Sequence, residues 1–166
     1  ELYVQQSCAE PVSISPALQP LGKLKVGLEW VLFKRGLGAS NQFEAGGFIR
    51  SEPGNPWPNI QFHFLPLAIN YDGSAPASGH GFQVHVGPMR PASRGTIRLK
   101  CDDPAEAPII EANYLAEERD RRELRDSVKL SREIFAQAAF DRYRGPELAP
   151  GPDLQTDEQI DAFVRS

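Results

Sequence analysis

Two of the chain's three histidines, His63 and His85, fall inside stretches where apolar and polar residues alternate. Imidazole titrates near neutrality, which makes each a first candidate for proton handling. A lone histidine on a strand also serves in purely structural or exposed positions. The third, His80, lies in a loop-like segment and is set aside. Side chains along a strand point alternately to opposite faces, so Glu1, Tyr3, Gln5, Gln61, His63, Gln83 and His85 share one face, with Thr96 and Arg98 nearer the sheet edge. A set of His, Gln, Tyr and one carboxylate can hydrogen-bond a bound molecule from a rigid platform. The same pattern suits a sheet surface open to water, and alternation alone does not separate a solvated face from a wall against a ligand, cofactor or second domain.

The elements that position this face follow from periodicity. Leu2 to Ser7, Ile60 to Leu65, Phe82 to Val86 and Thr96 to Leu99 read with period two and suit half-buried antiparallel strands. Glu44 to Arg50 is a further strand, with Gly46 and Gly47 marking a bulge or close backbone approach. The alternate residues Leu2, Val4, Ile60, Phe62, Phe64, Phe82, Val84, Val86, Ile97 and Leu99 form the core side. Leu24, Leu28, Val31 and Leu32 share a helical face that stops before Gly36 and Gly38. Glu117 to Ala138 is the clearest helix, with acidic residues in its first turn and Leu124, Val128, Ser131 and Phe135 on one side. Thr156 stands three residues before Gln159, a capping-box pattern that opens a last helix. Segments 51–58, 66–80 and 144–153 are rich in Pro and Gly and read as loops. Strands and helices are segregated, so the expected class is α+β: one antiparallel sheet with helices packed on one face.

Size and composition suit one domain with one core. A net charge of -4 with no basic stripe argues against a nucleic-acid partner, and no apolar run is long enough to cross a bilayer. Cys8 and Cys101 lack metal or redox spacing and read as free buried thiols. Trp30 and Trp57 read as packing residues, with membership of an aromatic cage as the other reading. The sequence contains no nucleophile elbow, zincin helix, P-loop or dinucleotide-binding glycine loop. With no initiator Met, the chain reads as a piece of something longer.

A family likeness supplies what these patterns leave open. Ser93-Arg-Gly-Thr-Ile-Arg-Leu, Asp103-Pro, Pro108-Ile-Ile, Asn113-Tyr-Leu and Asp120 resemble a signature of the glucose-methanol-choline (GMC) oxidoreductases. Gly46-Gly-Phe-Ile-Arg, Pro58-Asn-Ile-Gln-Phe-His-Phe-Leu-Pro, His85-Val-Gly-Pro-Met-Arg and Gln155-Thr-Asp-Glu-Gln-Ile-Asp-Ala-Phe-Val-Arg resemble its choline-oxidising members. The resemblance implies a single substrate-binding domain over residues 1–166. It lacks the FAD-binding domain and the C-terminal catalytic segment that carries the main catalytic histidine. It further implies choline or a similar small alcohol as substrate, FAD as cofactor in the full-length enzyme but not on this piece alone, and the enzyme's own FAD-binding domain against the polar sheet face. Betaine aldehyde is the implied product, a respiratory electron acceptor the implied partner, and the cytoplasm or the inner-membrane periphery the implied location. Glu1 falls where relatives hold the trimethylammonium group, and His63 where a supporting histidine hydrogen-bonds the alcohol. Near Gln19, where some relatives carry a Trp pair, this chain has Pro20-Leu21. Two other readings stand beside this one: a family member acting on a different alcohol, and a non-catalytic binding module.

Overall fold

A computed structural model describes residues 2–70 and 79–165. Among the described residues the chain forms β1 (Leu2–Cys8), α1 (Pro20–Phe33), β2 (Ala45–Ile49), β3 (Ile60–Leu65), β4 (Gly81–Pro88), β5 (Thr96–Arg98), β6 (Ile109–Glu111), α2 (Glu118–Phe135), β7 (Arg144–Ala149) and α3 (Asp157–Arg165). The main sheet runs β2-β3-β4-β1-β7, with antiparallel pairing throughout. The expected α+β class holds, with α2 and α3 packed on one face of that sheet.

That face is the core. Val4, Ile60, Phe62, Phe82, Val84 and Val86 project from β1, β3 and β4 onto Val128 and Phe135 of α2 and Ile160 of α3, while Leu2 and Phe64 pack at its margin. Leu124, Val128, Ser131 and Phe135 are all buried, as their spacing requires. The hydroxyls of Ser127 and Ser131 donate to the carbonyls of Glu123 and Ser127 at 2.7 Å, which lets two polar residues sit in the buried seam. Two forked ion pairs fix the helices. Arg125 donates to both carboxylate oxygens of Asp161 (2.7 and 2.6 Å) and ties α2 to α3. Arg132 does the same to Glu147 (3.0 and 2.8 Å) and ties α2 to β7. The capping box closes both ways, with Thr156 N–H donating to Gln159 Oε1 (2.9 Å) and Gln159 N–H to Thr156 Oγ1 (3.3 Å).

Several expectations are corrected. Thr96–Arg98 is a strand, but it pairs with β6 in a separate two-stranded sheet. Ile97 and Leu99 therefore point to solvent and not to the helices; a hairpin off the core repeats the alternation of a core strand without its burial. Residues 144–149, expected in a loop, form the edge strand β7. Its Pro146 is tolerated there because an edge strand leaves some backbone N–H groups unused. Finally, α1 forms but does not join the core: Leu24, Leu28, Val31 and Leu32 are each more than half exposed. The helix starts with Pro20 in its first turn and lies so close to the turn at 15–18 that a Cβ on Gly22 would fall 2.1 Å from the Pro16 carbonyl oxygen. Cys8 is half-buried and Cys101 exposed, so the buried reading fails for Cys101; both are free.

Candidate functional site

Strand register brings the candidate residues together. His63 of β3 lies opposite His85 of β4, Tyr3 of β1 lies on the far side of His85, and Gly46 of β2 lies on the far side of His63. Gly46, His63, His85 and Tyr3 thus form one file across four strands, on the face away from α2. Gly46 adds no side chain to the file. The ring of Phe43, from the loop before β2, meets both imidazoles edge-on, with centroids 5.9 Å from His63 and 5.6 Å from His85. Tyr3 approaches His85 at 6.3 Å. Both histidines and Tyr3 are half-buried.

The next file holds Gln5 opposite Gln83. These are among the most buried side chains of the protein, 3% and 1% exposed, so this face is not an open solvated sheet. The segment after β3 lies over it. Gln5 Nε2 donates to the carbonyl of Ile69 and to Gln83 Oε1, both at 2.8 Å, and the N–H of Ile69 donates to Gln83 Oε1 at 3.0 Å. Gln83 Nε2 then reaches His85 Nε2 at 2.6 Å. His85 also lines a largely apolar groove of about 560 Å³ with Ile14, Leu18, Val26, Phe43 and Leu67. The arrangement can hydrogen-bond a small molecule and move a proton at its polar end while apolar walls exclude water.

His80 stays outside the group, as expected: its Nδ1 hydrogen-bonds the Ser13 hydroxyl at 2.8 Å and serves a loop. Glu1 lies outside the described residues, as does the 71–78 portion of the loop after β3. Trp30 and Trp57 are 44% and 66% exposed, and neither packs as expected; the Lys34 ammonium sits 4.3 Å from the centre of the Trp30 ring. Among the described residues no cluster of His, Cys, Asp or Glu can hold a metal, and no helix is long and apolar enough to cross a membrane. Phe43 escaped the sequence reading because it sits in a loop with no periodicity. Gln5 and Gln83 were placed on the right face, but nothing in alternation signals that they are buried.

The Ser93 and Asp120 of the family-like signature prove to be one structural knot. Asp120 Oδ1 accepts the N–H of Ala92 and Oδ2 that of Ser93, each at 2.7 Å, and Ser93 Oγ accepts the N–H of Glu117 just before α2. Burial pushes the Asp120 carboxyl up, but the Ser93 hydroxyl, the two backbone donors and the Arg119 charge outweigh it and hold the group below its ordinary value.

Residues 91–166, a little under half of the chain, match the family model described as GMC oxidoreductase. The chain is 57% identical over 99% of its length to an oxygen-dependent choline dehydrogenase of Serratia proteamaculans and 55% identical over 99% to one of Chromohalobacter salexigens. It spans about 30% of the length of these relatives. In architecture it is similar to a formate oxidase of Aspergillus oryzae (17% identity, TM-score 0.85, 99% of this chain and 34% of that one). It is also similar to an FAD-dependent oxidoreductase of Chaetomium thermophilum (18%, TM-score 0.74, 98% and 35%). At these identities the structural likeness is one of fold.

Proposed function

We propose that the chain is the substrate-binding domain of an FAD-dependent oxidoreductase that converts choline to betaine aldehyde. The observation that carries this reading is the 57% identity to a choline dehydrogenase over 165 residues, a span that takes in the strands bearing His63 and His85. FAD fits the polar face in part. His63 and His85 supply polar contacts beside an apolar groove, whereas the sequence has no glycine-rich phosphate loop, so the phosphates fall to the remainder of the full-length protein. FAD supplies the hydride acceptor when bound. His63 hydrogen-bonds the substrate hydroxyl and supports the main catalytic histidine, which belongs to the full-length enzyme. Glu1 holds the trimethylammonium group, which has no N–H to donate and is recognised by a carboxylate and by aromatic faces. The exposed apolar side of α1 is covered by other parts of the full-length protein. Electrons leave to a respiratory acceptor, and the full-length enzyme resides in the cytoplasm or on the inner-membrane periphery.

The test uses the full-length protein under anaerobic conditions. Choline is expected to bleach the oxidised flavin band, and 3,3-dimethylbutan-1-ol, its neutral isostere, to do so far less well. Equal bleaching by both would keep the family and discard the ammonium site. Glu1→Gln is expected to raise KM for choline about 10- to 100-fold, the loss of one charge-assisted contact, with little change for the isostere. Comparing reoxidation by a quinone analogue and by dioxygen decides the acceptor, since the relatives' names specify oxygen dependence.

A further inference from the structure

The two buried glutamines leave His85 no freedom in where it carries its proton. A carbonyl oxygen only accepts and a peptide N–H only donates, so the backbone of Ile69 fixes both amides. Its carbonyl must face the NH2 of Gln5, and its N–H must face the oxygen of Gln83. The Gln5 NH2 also donates to that same oxygen, so Gln83 has its oxygen taken by two donors and its NH2 turned toward His85 Nε2, 2.6 Å away. An amide NH2 cannot accept, so Nε2 must present its lone pair. An imidazolium, or the Nε2–H tautomer, would set two donors against each other in a buried site.

We propose that Gln5 and Gln83 are positioning residues that set the tautomer of His85: they turn the Gln83 NH2 toward its Nε2, so that the neutral ring carries its proton on Nδ1. The tautomer does not rest on the oxidoreductase reading above.

The test is nitrogen and carbon NMR of the histidine-labelled chain at about pH 8, with signals assigned through His63→Gln and His80→Gln. Imidazole side chains in water favour the proton on Nε2. His85 is expected to show the reverse, a pyrrole-type Nδ1 and a pyridine-type Nε2. Gln83→Glu replaces a donor with an acceptor and should move the proton to Nε2, while Gln83→Leu should return His85 to the preference seen in water. A wild-type His85 protonated on Nε2 would overturn the proposal even if no variant folds, and so would an unchanged tautomer in Gln83→Glu. Failure of choline to reduce the flavin at all would sink the oxidoreductase reading and leave the tautomer standing.

Discussion

Asp120→Asn is expected to lower the unfolding free energy by about 2–3 kcal/mol in urea titrations at pH 7, the cost of unpairing buried groups that hydrogen-bond to a charge. The carboxylate is 2% exposed and accepts from two backbone N–H groups, one per oxygen. An amide of the same shape offers only one acceptor, so its NH2 would face a donor. The effect depends on pH in a defined sense. The folded-state carboxyl lies below its ordinary 3.8, so its stabilisation is fully present above that value and is lost as pH falls through the folded pKa. The gap between wild type and Asp120→Asn should therefore be widest at neutral pH and narrow below about pH 3.8. A gap that stays constant down to pH 2 would show that the carboxylate charge contributes nothing.

The second large effect is expected at the other end of α2. Phe135→Ala should cost about 3–5 kcal/mol. Phe135 is 1% exposed and meets Phe82 edge-on at 5.1 Å and Phe140 at 5.5 Å, holding three aromatic rings together under the sheet. It also walls an apolar groove of about 340 Å³ along Gly46, Gly47 and Phe62. Truncation would merge the new cavity with this groove, so little of the lost contact would be recovered by collapse. Phe135→Leu, which fills most of the space, should recover more than half of the loss. If Leu and Ala cost the same, ring packing and not volume is what Phe135 supplies.

Legibility in the sequence tracked burial. β1, β3 and β4 each present one apolar face to the core, and their period-two pattern located them and their core side within two residues at each end. The seam of α2 was readable because Leu124, Val128, Ser131 and Phe135 face one neighbour along the whole helix. β7 was not readable: Arg144-Gly-Pro-Glu-Leu-Ala alternates poorly, and its pairing to β1 is broken by register shifts that accommodate the proline. β6 has only three residues, too few for any period. In the site, a shared face for His63 and His85 followed from alternation, but that they stand directly opposite one another is a matter of register between strands about 20 residues apart. The burial of Gln5 and Gln83 depends on where the segment carrying Ile69 returns, which no local pattern encodes. Family likeness, by contrast, was carried by short strings such as Ser93-Arg-Gly-Thr and Asp120, and the structure gives these a physical reason in the knot that joins a turn to the start of α2.

The position of β1 in the sheet has a consequence for synthesis. β1 is paired on one side by β4 and on the other by β7, and Ser7 hydrogen-bonds a carbonyl 139 residues later. A ribosome releases β1 long before either partner exists, and once β4 docks, the outer edge of β1 stays open until residues 144–149 emerge. Non-local closure of this kind slows folding and leaves an unpaired strand edge able to recruit another chain. Nascent chains halted between β4 and β7 should accordingly be the form most dependent on chaperones and the first to aggregate.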